Sequence, residues 1–294
     1  MSENKVVTAD QIKKAMAAVK AQRPAYEELL EFYEKLFLAQ EDTKGHIDIE
    51  PIQIPKELLS VKLKERLPLI NRADFAVDAK ASEALLKKIC RLAAKANEAL
   101  AEAGSKVADA MHKGRLEASA LFSKILSEDD TYFDEVAQEL EIERNILVFF
   151  AYTSITPSVC LCAEQLATYL DKDTPWNKGY CPICGSLPDL SIFRGEGERS
   201  LICSFCSYEW NALRIYCPFC DNRDQKTLHY FFSEEEKNYR VDVCDKCHKY
   251  IKTVDTRKMD YPVYPFVEQI STLHLDMLAK EQGFESGIPL CLQT

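Results

Sequence analysis

The sequence predicts an α+β protein. Residues 1–175 read as an all-helical domain, 176–212 and 213–260 as two tandem four-cysteine metal ribbons, and 261–294 as a C-terminal helix with its tail. Three observations carry this. Apolar residues recur at three and four through most of the first 170 positions. Composition shifts at Asp171–Trp176, after which Gly, Pro, Asp and Asn cluster between short β-type runs such as Ser200–Ile202 and Tyr239–Val243. Eight of the twelve cysteines lie between Cys181 and Cys247.

The elements follow in order. Thr8-Ala9-Asp10-Gln11 fits a capping box, and Ile12, Ala15, Met16 and Val19 form the apolar face behind it. Pro24 suits the first turn of a second helix, with Tyr26, Leu29, Leu30, Tyr33 and Phe37 on one face. Residues 45–78 are punctuated by Gly45, Pro51, Pro55 and Pro68, which predicts a long loop with a short helix at Lys56–Arg66. Residues 80–103 give the clearest helix, with Leu85, Ile89, Leu92, Ala93, Ala96 and Leu100 on one face and Gly104 as its cap. Three or four shorter helices follow to about residue 142. Glu143–Leu170 is apolar nearly all round, predicting a buried central helix or helix pair broken near Pro157. Helical spacing returns from Pro265 to Gln282, closed by Gly283.

Composition narrows the function. A length of 294 residues suits about two domains. The net charge of −10 argues against a general nucleic-acid binder, which carries a basic face. The most apolar run, Ile146–Tyr152, has only seven residues, and a membrane helix needs about 20, so no membrane span is expected. Met1-Ser2-Glu3-Asn4-Lys5 shows no secretory signal, which predicts a cytoplasmic protein whose paired cysteines bind metal rather than form disulfides.

The eight cysteines form four pairs: Cys181/Cys184, Cys203/Cys206, Cys217/Cys220 and Cys244/Cys247. Two cysteines two residues apart in a tight turn present both sulfurs to one metal, and a second such knuckle completes a tetrahedron. The halves repeat: Tyr180-Cys181-Pro182-Ile183-Cys184 matches Tyr216-Cys217-Pro218-Phe219-Cys220, and Ile202-Cys203-Ser204-Phe205-Cys206 matches Val243-Cys244-Asp245-Lys246-Cys247. Sequential pairing predicts two metal ions per chain, Zn or Fe, since all-sulfur sites suit either. An interleaved arrangement is one alternative; a redox-active CxxC on a thioredoxin-like unit is another, but the βαβ pattern it needs is not seen in the sequence.

Cys90, Cys160 and Cys162 are expected in the helical core, Cys291 as a free thiol in the tail, and His248 at the surface or beside the ligands. His46, His112, His229 and His274 show no HExxH-type pairing, and P-loop, GxGxxG and GxSxG motifs are missing, so no enzyme is expected. Residues 176–260 carry 13 Lys/Arg and 13 Asp/Glu. Two dications on eight thiolates would leave this region negative, which weakens a nucleic-acid role despite aromatics such as Tyr208, Trp210, Tyr230, Phe231 and Phe232.

These residues resemble the formate dehydrogenase accessory protein FdhE family. Trp176, Gly179, Cys181, Pro182, Cys184, Gly185, Ser186 and Pro188 are similar to its first knuckle. The likeness continues through Leu201, Cys203, Cys206, Trp210, Arg214, Cys217 and Cys220, then Cys244, Cys247, Tyr250, Ile251 and Lys252. It ends on Leu273, Leu275, Asp276, Ala279, Glu281, Gly283 and Phe284, with a looser fit at Arg23-Pro24 through Gln40 and at Pro68-Leu69. Asp221 departs from the pattern, standing where a glycine often follows such a knuckle. The resemblance implies a helical domain joined to two rubredoxin-like/zinc-ribbon modules. It also implies a cytoplasmic assembly chaperone that binds the molybdenum- or tungsten-containing catalytic subunit of formate dehydrogenase. A rubredoxin-like iron protein transferring electrons, or less readily a nucleic-acid-binding zinc ribbon, are the alternatives the residues leave open.

Overall fold

The computed structural model describes residues 8–171, 175–234 and 236–288. They divide into two compact units, one holding residues up to Glu50 with Arg72–Cys162, the other Pro51–Asn71 with the chain from Ala163 onward. The predicted free thiol Cys291 lies outside the described residues.

The helices in chain order are α1 (Ala9–Gln22), α2 (Glu27–Lys44), α3 (Lys56–Lys64), α4 (Ala79–Ala93), α5 (Glu98–His112), α6 (Ala118–Leu126), α7 (Asp130–Leu140) and α8 (Arg144–Leu166). The capping box forms as the sequence predicts: Gln11 N–H donates to Thr8 Oγ1, and the Thr8 N–H to Gln11 Oε1. Ile12, Ala15, Met16 and Val19 are all fully buried.

Two local expectations fail. The helix predicted over 80–103 is two helices. Asn97 opens α5 by accepting the Leu100 N–H at 2.9 Å, which ends the continuous pattern four residues after α4 stops. Gly104, expected as a cap, lies inside α5. A Cβ there would sit 2.9 Å from the Cys90 carbonyl oxygen, so the glycine permits close approach of α4 and α5. The helix expected to break near Pro157 runs unbroken for 23 residues. Pro157 has no N–H for the Thr153 carbonyl, and the buried Gln40 Nε2 supplies that hydrogen bond at 2.8 Å.

The stretch Arg144–Tyr169 is by length and composition long enough and apolar enough to cross a membrane, more so than its seven-residue run suggested. Yet 78% of its most apolar window is buried inside the protein, as in a core helix.

The second unit is built on a sheet of β1 (Pro188–Arg194), β2 (Glu198–Cys203), β3 (Glu209–Ala212), β4 (Leu228–Phe231), β5 (Tyr239–Cys244), β6 (Lys249–Asp255) and the short β7 (Glu285–Ser286). Its order is β3-β2-β1-β6-β5-β4, with β7 beside β6. Each predicted ribbon is a three-stranded antiparallel unit. The ribbons are fused by parallel pairing of β1 with β6, from Leu190 opposite Lys252 to Phe193 opposite Asp255.

The C-terminal helix is a pair, α9 (Pro265–Ser271) and α10 (Leu273–Glu281). Leu275 and Ala279 of α10 pack on Leu190, Ile192, Val241, Val243 and Val254, which share one face of the sheet. On that same face the buried Lys252 ammonium donates to Asp276 of α10 at 2.7 Å and to the Gln269 carbonyl at 3.0 Å. Gly283, at φ +85°, ends α10 as predicted, and the Phe284 N–H returns to the Ala279 carbonyl at 3.0 Å.

Candidate metal centres

All four CxxC pairs adopt one turn. The N–H of the residue after the second cysteine donates to the carbonyl of the first: Gly185 to Cys181 at 2.9 Å, Ser207 to Cys203 at 3.2 Å, Asp221 to Cys217 at 3.0 Å and His248 to Cys244 at 2.9 Å. Each of these donors has positive φ: 78°, 59°, 56° and 55° in that order. The turn thus asks for a left-handed residue at its close, which Gly accepts freely and Asp and His tolerate. Asp221 therefore keeps the geometry despite its departure from glycine. In the chain direction of β2 and β5 the knuckles follow the strand ends, so a rigid sheet places them.

The turns bring the sulfurs together sequentially. Cys181, Cys184, Cys203 and Cys206 form one cluster, and Cys217, Cys220, Cys244 and Cys247 the other, with all four sulfurs of each within 4.8 Å of one another. Sulfur–sulfur separations are 3.6 Å for Cys181–Cys206, 3.5 Å for Cys184–Cys203, 3.6 Å for Cys217–Cys247 and 3.7 Å for Cys220–Cys244. A tetrahedron with metal–sulfur arms of about 2.3 Å has edges of about 3.8 Å, so each cluster could hold one ion with little adjustment.

The protonation chemistry agrees. Burial holds the Cys181 and Cys206 thiols well above their ordinary range, whereas Cys184 is held low by hydrogen bonds from Cys181, Cys203 and Cys206. A bound dication supplies the charge that lets all four ionise. In the second cluster burial pushes Cys217 up and Cys247 to about 11. Burial also pushes on Cys244, but the Asn222 amide, at 3.4 Å, and the knuckle N–H groups bring it down to about 7. Such N–H···S bonds occur in the first cluster too, from Ile183 to Cys181 and from Phe205 and Cys206 to Cys203, each at 3.4 Å.

One contributor was not legible as part of the site. The segment after α3 clamps the first knuckle: Leu69 N–H donates to Pro182 O and Ile70 N–H to Ile183 O, both at 2.9 Å. Tyr180 Oη donates to Arg66 O at 2.7 Å, and the Arg66 guanidinium lies 5.8 Å from the Trp176 ring centre. The sequence signals there were the apolar Leu69-Ile70 after Pro68 and the looser family likeness at Pro68-Leu69. Gly179 has a comparable role toward the second knuckle, since a Cβ there would fall 1.8 Å from Pro218 O.

Of the remaining candidates, His248 borders the second cluster, its N–H closing the knuckle turn. Cys90 and Cys162 are buried in the helical unit; burial raises Cys90 to about 11, and Cys162 Sγ faces Ala76 O at 3.4 Å. Cys160 is half-buried. His248 stacks obliquely on Phe284, and His229 pairs with Asp245 at 2.8 Å.

A helical domain carrying a fused double ribbon with two four-cysteine clusters defines a class of protein: a two-site thiolate ribbon protein. Comparison narrows the class. Residues 180–214 match the family model described as "FdhE, central domain" and 215–292 that described as "FdhE, C-terminal domain". A protein FdhE homolog of Aquifex aeolicus is 36% identical over 147 residues, covering 49% of this chain and 50% of that protein. One from Haemophilus influenzae is 29% identical over 157 residues, covering 52% and 51%. The chain thus spans about half the length of the curated relatives it matches. The crystal structure of the FdhE protein from Pseudomonas aeruginosa has the same fold, with a TM-score of 0.69 at 20% identity over 98% of this chain and 97% of that one. Residues 180–292 thus match the FdhE family models, and the chain shares the fold of an FdhE protein.

Proposed function

We propose that this protein is a cytoplasmic, non-enzymatic assembly factor for formate dehydrogenase that binds the catalytic subunit during its maturation. Cys181, Cys184, Cys203 and Cys206 hold one metal ion, and Cys217, Cys220, Cys244 and Cys247 another. The observation that carries the reading is the fused double ribbon of a chain that matches the FdhE family models. Two metal clusters locked into one sheet make a rigid platform, and Ile215, Met277 and Leu278 are exposed on this unit. In this reading 1–175 is the helical domain, 176–212 and 213–260 the metal ribbons, and 261–294 the C-terminal helix and tail.

The test is co-purification with a tagged formate dehydrogenase catalytic subunit. The expected result is a stoichiometric complex, with formate dehydrogenase activity lost in a deletion strain. Full activity in that strain, with no complex recovered, would overturn the proposal.

A further inference from the structure

The sheet face opposite α10 carries an unusual set of side chains. Alternation places Ser191 and Phe193 of β1, Arg199 of β2, Tyr230 of β4, Arg240 and Asp242 of β5 and Thr253 of β6 on that face, and the register sets them side by side: Phe193 opposite Arg199, Arg240 opposite Thr253, Tyr230 opposite Asp242. Beside them lie two adjoining cavities of about 410 and 150 Å³, both lined by Arg214, Tyr230 and Arg240. The larger falls in the size range of small-ligand sites, roughly 300–1,000 Å³.

Charge here runs against the rest of the chain. Arg199, Arg214 and Arg240 face the larger cavity, with Asp242 the one carboxylate among its lining residues. Arg199 is nine-tenths buried, with its side chain only 3% exposed. It donates Nε–H to Ser191 Oγ at 2.9 Å and Nη1–H to Tyr216 O at 3.0 Å. Its Nη2 has no hydrogen-bond partner among the described residues, the Asp242 carboxylate standing off at 3.7 Å. Arg240 is ion-paired to Asp242 at 2.9 Å, yet its buried Nε is also without an acceptor among the described residues. Arg214 lies 5.7 Å from the Phe193 ring centre. A buried guanidinium N–H without an acceptor is costly, and an anionic oxygen is the group that relieves it.

Aromatic rings border the same cations. Arg240 is 4.6 Å from the ring centres of both Phe193 and Tyr230. Tyr230 and Phe232 stack at 6.2 Å and 26°, and are 56% and 43% exposed. Planar exposed rings next to a guanidinium cluster can hold a flat ring by stacking and an anion by forked hydrogen bonds.

We infer that this groove binds a small phosphorylated ligand carrying a planar aromatic ring, of the nucleotide class. The phosphate meets Arg199, Arg214 and Arg240, and the ring stacks on Tyr230. A single nucleotide senses this local excess of cations, whereas a long polyanion would also meet the chain's net charge of −10. The inference stands apart from the assembly-factor reading, since it concerns the isolated protein.

The test is calorimetric titration of the metal-loaded full chain with AMP, ADP, ATP and GTP, and with inorganic pyrophosphate, adenosine, a glutamate-rich peptide and a DNA oligonucleotide. Saturable nucleotide binding is expected at submillimolar concentration. Arg214→Ala and Tyr230→Ala, both at exposed positions, should each weaken it about tenfold without changing metal content or melting temperature. No saturable nucleotide binding overturns the inference. So does binding unmoved by both substitutions, pyrophosphate binding as tightly as ATP, or binding of the peptide or oligonucleotide alone.

Discussion

In the first ribbon the four cysteines are 0%, 7%, 2% and 1% exposed, in chain order. In the second, Cys217 and Cys244 are buried while Cys220 and Cys247 are only half-buried. The knuckle turns are the same in both, so the turns do not explain the difference. The surroundings do. The first knuckle is covered by Arg66–Ile70, and its second loop by the fully buried Phe205. The corresponding second-ribbon loops carry Asp221, Asn222, Asp245, Lys246 and His248, polar side chains of which all but Asn222 leave the sulfurs open to water on one side. The comparison teaches that one ligand motif yields two grades of access, and that access comes from residues distant in sequence rather than from the motif.

The largest effect should come from removing a ligand. Cys181→Ser and Cys244→Ser should each lower metal content by about one ion per chain, because structural metal binding is folding free energy. Cys181→Ser should destabilise the ribbon unit by about 4 kcal/mol or more, since the Arg66–Ile70 clamp rests on that knuckle; Cys244→Ser should cost less, about 2–3 kcal/mol. Elemental analysis with urea unfolding checks both. If the two substitutions emptied the same cluster, the sequential grouping would be wrong; if they cost equal stability, the comparison would be.

A smaller effect is kinetic. Zinc-loaded protein given a chromogenic chelator should release its metal in two phases, the fast one from the cluster of Cys220 and Cys247. Cys244→Ser should lack that fast phase. A single phase, or a fast phase retained in the variant, would remove the distinction between sealed and open sites.

What could be read from sequence divides along the same line. The four knuckles, their repetition and their residues were legible, because a CxxC turn is local geometry. The capping box at Thr8–Gln11 and the stop at Gly283 were legible for that reason too. The split of the helix predicted over 80–103 is local, an N-cap at Asn97, but the other failures involve partners far along the chain. Pro157 reads as a break, but Gln40, 113 residues before Thr153, replaces the missing donor. Gly104 reads as a stop, but it serves the approach of another helix. The fusion of the ribbons rests on parallel pairing of β1 with β6, and such a long-range pairing leaves no spacing to read. The buried Lys252 is equally opaque until Asp276 is seen beside it.

The smallest effect tests whether the knuckles are truly one turn. Gly185 and Asp221 occupy the same position after the second cysteine, at φ 78° and 56°. If the backbone demands a left-handed residue at both, substitutions there should have opposite signs. Gly185→Ala should destabilise by about 1–2 kcal/mol, from left-handed strain and from a Cβ placed 3.0 Å from Pro68 Cγ. Asp221→Gly removes that strain and, beyond its backbone, loses only an exposed pair with Arg223 at 3.1 Å. It should stabilise by about 0.5 kcal/mol, the relief being partly offset by the entropy glycine gains in the unfolded chain. Thermal melts of the two metal-loaded variants decide the matter. Destabilisation by Asp221→Gly comparable to that by Gly185→Ala would mean that the aspartate side chain is needed in the second ribbon, and that the two knuckles share a shape but not a cause.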